Sequence, residues 1–209
     1  MKIINVQQGS EEWLQLRRGV ATASHFSEIV TSKGEISKSL EKYARGLASA
    51  LLMTTLDKQY SNEDMERGVE LEPDAKMLYQ EYTLDIVETC GFMSCVDYGY
   101  SPDGLVGSDG LVEIKCVKAT THTQYLEEDK LPTEHIAQVQ GGLMVSERQW
   151  CDFVSFHPDF KDPYKLFIKR VYRDEKFIAK LRIGIDKLIE RRNEILSTIA
   201  SQYSLASTN

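Results

Sequence analysis

The stretch that most limits how this chain can fold is Leu111-Val112-Glu113-Ile114-Lys115, which follows the turn-like run Tyr100-Ser101-Pro102-Asp103-Gly104. Side chains alternate across a strand, so Glu113 and Lys115 share one face while Val112 and Ile114 share the other. Leu111, Val112, Ile114 and Val117 are apolar, so one face of this strand must be buried. Two carboxylates, Asp103 and Glu113, and one ammonium, Lys115, are thereby tied to a strand that packs into a core. Carboxylate oxygens suit hard cations such as Mg²⁺ or Mn²⁺. A lysine is a point charge that can orient a water or offset charge on a phosphate. Taken singly, Pro-Asp-Gly also reads as an ordinary turn and Glu-x-Lys as a solvated strand face. Their combination makes the stretch a candidate centre for metal-assisted phosphodiester cleavage.

Composition narrows the alternatives. At 209 residues, with 42% hydrophobic and 27% charged residues, the chain suits one soluble domain, expected to span 1–209. No apolar run approaches the ~20 residues that cross a bilayer, and the opening residues lack the apolar core of a secretion signal. The four cysteines, Cys90, Cys95, Cys116 and Cys151, show no CxxC spacing, so a reduced, cytoplasmic chain is expected. No HExxH pair is present, which disfavours zinc catalysis. The net charge of −7 argues against indiscriminate coating of nucleic acid, while leaving room for contacts confined to one groove.

Along the chain, Ser10 caps a short helix to Arg18, with Trp13, Leu16 and Val20 on its buried side and Gly19 as its stop. A second short helix, 25–30, follows Thr22-Ala23-Ser24. Arg17 beside the hydroxyls of Thr22 and Ser24 can receive a phosphate; the plainer reading has the hydroxyls capping the helix and Arg17 on the surface. Ser37 caps a helix to about Met53 with Leu40, Tyr43, Ala44, Leu47 and Leu51 inward. Ser61-Asn62-Glu63-Asp64 reads as a capping box, and Pro73 as a fresh helix start with Ala75, Leu78, Tyr79 and Tyr82 inward. Glu70 and Glu72 fall at that break. Residues 86–90 and 92–96 read as consecutive antiparallel strands, and 104–107 with 111–117 as a hairpin turning at Ser108-Asp109-Gly110. A short helix or loop at 120–127 and a helix 135–144 carrying Gln138 come next, with Gly141-Gly142 permitting close packing. Strands 150–156 and 165–172 precede a helix capped by Asp174 and running to about Ser197, with a frayed tail from Gln202. The expected fold class is α/β: a mixed central β-sheet flanked by helices on both sides.

Five segments carry a resemblance: 9–24 (Gly-Ser-Glu-Glu-Trp-Leu-Gln-Leu-Arg-Arg-Gly-Val-Ala-Thr-Ala-Ser), 67–75 (Arg-Gly-Val-Glu-Leu-Glu-Pro-Asp-Ala), Ser101-Pro102-Asp103-Gly104-Leu105, Val112-Glu113-Ile114-Lys115-Cys116 and Ile136-Ala137-Gln138-Val139-Gln140. In this order they resemble the lambda-type alkaline exonucleases of phages (YqaJ-like), within the PD-(D/E)xK nuclease superfamily. The resemblance implies a restriction-endonuclease-like core. It implies that Asp103, Glu113 and the Ile114 carbonyl bind one or two Mg²⁺ (Mn²⁺ being possible) and that Lys115 positions or activates the attacking water. Glu72 matches a family acid that assists the metals, with Glu70 as the neighbouring alternative, and Gln138 matches a helix glutamine near the active site. Arg17, Thr22 and Ser24, joined by Ser101, match the pocket for the 5′-phosphate. The implied activity is 5′-to-3′ digestion of one strand of linear double-stranded DNA to mononucleotides. The implied setting is a homotrimeric ring, a phage single-strand annealing protein as partner, and the cytoplasm of a bacterial host. A PD-(D/E)xK endonuclease and a non-catalytic DNA-binding protein are the alternatives.

Overall fold

A computed structural model describes residues 1–55 and 63–206. The strands, in chain order, are β1 (Lys2–Ile4), β2 (Ala21–Thr22), β3 (Val87–Glu88), β4 (Phe92–Ser94), β5 (Tyr98–Tyr100), β6 (Gly104–Val106), β7 (Gly110–Cys116), β8 (Trp150–Phe156) and β9 (Leu166–Tyr172). The α-helices are α1 (Glu11–Arg17), α2 (Leu40–Leu52), α3 (Glu63–Thr83), α4 (Ala119–Glu128), α5 (Ile136–Ser146) and α6 (Glu175–Ala206); a 3₁₀ turn occupies Ala23–Glu28.

The strands form two sheets, ordered β3-β6-β7-β8-β9 and β1-β4-β5-β2. In the larger sheet β7 and β8 are parallel and the other pairs antiparallel. Parallel neighbours need a long crossover, and α4 and α5 supply it between Cys116 and Trp150. The hairpin β6–β7 forms as its sequence predicts.

The alternation along β7 sorts the two faces. Val112 and Ile114, with Val106, Val154, Phe156 and Leu166, pack under Ala75 and Tyr79 of α3. Leu111, Cys151, Phe153 and Phe167 face a larger core built with α5, α6, Phe26 and Tyr125. Helices therefore cover both faces. Asp152 is the polar exception under α3: it accepts from the Tyr79 hydroxyl and from the fork of Arg170, which satisfies its buried charge. The four cysteines are free, and among the described residues no helix is long and apolar enough to cross a membrane.

Several expectations are corrected. The segments 86–90 and 92–96 do not pair with each other, because β3 joins β6 in one sheet and β4 joins β1 and β5 in the other. Gly91 marks the switch: a Cβ there would come within 2.5 Å of backbone atoms of Ile4 and Val6. Pro73 lies inside α3 instead of starting a helix. The carbonyl deprived of its donor, on Val69, belongs to a residue 72% exposed, so water can replace the missing bond. Tyr82, expected inward, is exposed. Ser39 replaces Ser37 as the cap of α2, and α6 runs past Ser197 to Ala206. The capping box expected from Ser61 and Asn62 lies outside the described residues.

Candidate active site

The chain crosses from the small sheet to the large one between Tyr100, the last residue of β5, and Gly104, the first of β6. Asp103 sits in that crossing. Its Oδ2 accepts from the Ile114 backbone N–H at 2.7 Å, which is free because β6 pairs with β7 only as far as Val112. In an extended residue N–H and C=O project to the same side, so the Ile114 carbonyl also leaves β7 toward Asp103.

Glu113, 2% exposed, collects donors from three elements. Lys115 Nζ reaches Oε1 at 2.7 Å, the Tyr100 hydroxyl reaches Oε2 at 2.9 Å, and the Gln138 amide also donates to Oε1. Tyr100 and Gln138 thus fix the carboxylate in one orientation. Burial and the neighbouring Glu113 push the Asp103 carboxyl well above the usual range, against the opposing effect of Lys115, with Glu72 adding to the rise. For Lys115, burial alone would lower the pKa, but Glu113 and Asp103 outweigh it and raise it, so the ammonium keeps its proton.

Glu72 approaches the same acids from α3, bonds to Lys76 at 3.5 Å, and acts on Asp103 and Lys115 through charge. Glu70 is exposed and does not enter that cluster. Among the described residues no three His, Cys, Asp or Glu side chains form a metal-holding group. The donors available on this side of β7 are the Asp103 and Glu113 carboxylates and, by strand geometry, the Ile114 carbonyl. Such a set fits a hard cation that keeps several waters, as Mg²⁺ does, and a cation would offset the burial and charge crowding that raise Asp103.

The second cluster begins one turn into α1, which Ser10 caps by accepting from the Trp13 N–H and which Gly19 ends at φ +69°. The Arg17 guanidinium lies 3.9 Å over the Trp13 ring and donates to Thr22 Oγ1 at 3.3 Å, which is 3.2 Å from Ser24 Oγ. Neither hydroxyl caps the following turn, so the capping alternative is replaced by this polar chain. Arg17 has no carboxylate within ion-pair distance among the described residues. Desolvation lowers its pKa to about 10. Burying an unpaired charge costs several kcal/mol, of which a desolvated cation–π contact returns roughly 2 kcal/mol. Arg17 opens on a cavity of about 200 Å³ whose wall includes Leu14, Val20, Thr22, His25, Tyr43 and Leu47. Ser101 is not in that wall. It accepts from the Trp13 indole N–H at 2.8 Å and so links α1 to the crossing that carries Asp103.

Two residues the sequence reading missed shape this pocket. Tyr43, assigned to the apolar stripe of α2, accepts the Thr22 backbone N–H at 3.2 Å. Arg192, buried on α6, donates to the Gly19 carbonyl at 2.9 Å and to Asp97 Oδ1 at 2.7 Å, while the Asp97 carbonyl accepts from Ala21 N–H. Arg192 thereby pins the loop from Arg17 to Thr22. No local sequence signal marks either role, since each depends on a partner far along the chain.

Residues 12–149 match the family model of the YqaJ-like viral recombinase domain. The chain belongs to that family. A crystal structure of an alkaline exonuclease (LHK-Exo) from Laribacter hongkongensis is 32% identical, superposes with a TM-score of 0.87, and is covered over 94% of this chain and 100% of that one. The same enzyme is known in complex with dAMP. A phage-related exonuclease from Haemophilus somnus 129PT, 16% identical, shares the fold with a TM-score of 0.71 over 89% of this chain and 99% of that one. No curated protein matches the chain. The mixed α/β core is thus of the restriction-endonuclease-like, lambda-exonuclease type, and this YqaJ-family chain is a phage-type exonuclease.

Proposed function

We propose that this chain digests one strand of linear double-stranded DNA from its 5′-phosphorylated end, using Mg²⁺ (or Mn²⁺), and releases mononucleotides to leave a 3′ overhang. The observation that carries the reading is Arg17: a half-buried cation with no acid partner among the described residues, facing a cavity of about 200 Å³ and joined through Trp13 and Ser101 to the segment holding Asp103. Recognition of a terminal phosphate there would select an end. The dAMP bound by the Laribacter enzyme is a mononucleotide, the product class proposed here.

Asp103, Glu113 and the Ile114 carbonyl would hold the cation. When bound, it would polarise the scissile phosphate and acidify a water. Lys115 has protons to spare after its bond to Glu113; it orients the attacking water by donating to its oxygen and offsets phosphate charge. Tyr100 and Gln138 keep Glu113 aimed, and Glu72 adds negative charge from the α3 side. Arg17 and Thr22, with Ser24 beside them, would bind the 5′-phosphate, and Ser101 would steady α1 through the Trp13 indole. Family membership supports extending the proposal to a homotrimeric ring and a phage single-strand annealing partner in the host cytoplasm.

The test is digestion of end-labelled linear duplexes and closed circles, with and without Mg²⁺. Nucleotide release from linear, 5′-phosphorylated DNA only with metal is expected. Cutting of closed circles would make the protein an endonuclease, and no metal-dependent release would make it a binding protein.

A further inference from the structure

The Arg17 cavity contains a hydroxyl that the proposed function leaves unused. Tyr43, on α2, lines the same cavity as Arg17. Its oxygen accepts the Thr22 backbone N–H and also meets the Thr22 side chain, while among the described residues no carboxylate or carbonyl takes its proton. Thr22 also holds the Arg17 fork through Oγ1, so one residue orients both side chains toward the same space. His25 lies against the Tyr43 ring, with centroids 5.5 Å apart and planes 28° apart, and is itself tied through Nδ1 to Glu28 at 2.7 Å. The His25 stack and the Thr22 N–H both favour this placement of the phenol.

We propose that Tyr43 is a ligand of the terminal phosphate, donating its hydroxyl proton to an oxygen that Arg17 does not reach. This inference rests on the 5′-phosphate reading and goes further, to how a monoester is told from a diester. A terminal phosphate exposes three non-bridging oxygens and a diester two. Arg17 presents a planar fork that engages two oxygens at once. A third donor lining the same cavity is satisfied only by a monoester, and burying it against a diester or a bare hydroxyl end leaves it unpaired. Burial pushes the Tyr43 phenol up to about 12, so it remains a donor at the alkaline pH where the phosphate is a dianion.

The experiment compares kcat/KM on linear duplexes with 5′-phosphate and 5′-hydroxyl ends for the intact protein, Tyr43→Phe and Arg17→Ala, with Mg²⁺ present. Tyr43→Phe is expected to lower the phosphate-to-hydroxyl ratio about tenfold, the value of one hydrogen bond to a charged group, and to weaken inhibition by inorganic phosphate. A ratio unchanged in Tyr43→Phe but lowered in Arg17→Ala would overturn the role of Tyr43 and leave the pocket standing. A ratio unchanged in both would overturn the pocket itself. An equal fall on both duplexes, or a lowered melting temperature with the ratio intact, would reduce Tyr43 to a packing role and overturn the inference.

Discussion

Around Glu113, acids crowd together and draw on several donors; around Arg17, a cation has no acid to pair with among the described residues. Asp103 and Glu113, with Glu72 close by, share the one ammonium of Lys115, and burial together with that crowding raises the Asp103 pKa. Arg17 has an indole face and a threonine hydroxyl, and its cost appears as a lowered pKa. The first cluster is short of positive charge and the second of negative. A divalent cation and a phosphate would answer the two deficits in turn. On the proposed function, a chain of net charge −7 would engage DNA by attraction placed at two points instead of spread over the surface.

The comparison breaks most sharply at the acidic cluster. Lys115→Ala or Asp103→Ala should lower nucleotide release from phosphorylated linear duplex by roughly 10³-fold or more, with circular dichroism unchanged. Activity retained in both would remove the metal centre from these residues. Arg17→Ala should act on the other side of the contrast. The preference for 5′-phosphate over 5′-hydroxyl ends should fall roughly 10- to 100-fold. An unchanged preference would mean the guanidinium is not the reader.

The smallest effect concerns stability without metal. Asp103 has a raised pKa, so over the range from the ordinary carboxylate value up to the raised one the folded chain holds a proton that the unfolded chain releases. Metal-free stability therefore falls as pH rises through that window. Asp103→Asn removes the effect and keeps an oxygen for the Ile114 N–H. Its melting temperature in EDTA at pH 8 should exceed that of the parent by a few degrees, with cleavage lost. A lower melting temperature would show that the carboxylate is not under charge strain.

The acidic half of the site was legible because it is local. Strand alternation places Glu113 and Lys115 together, and a turn brings Asp103 back to the same strand. Gln138 became readable only through the family resemblance, since a helix glutamine carries no signal of its own. The other half is non-local. Thr22 and Ser24 have the composition of caps, and only the arrival of Arg17 diverts them. Tyr43 satisfies an apolar stripe with its ring, which conceals what its hydroxyl does. The same limit explains the sheet error: two adjacent β-like runs suggest a hairpin, and only the approach of Ile4 and Val6 to Gly91 sends them to different partners.

The Arg192 contact has a consequence for the order in which the protein is made. It spans 173 residues to the Gly19 carbonyl, so the side chain that steadies the pocket's loop is translated after Asp103, Glu113, Lys115 and Gln138. A nascent chain therefore carries the acidic cluster before the Arg17 loop is pinned, and α6 acts as its clasp.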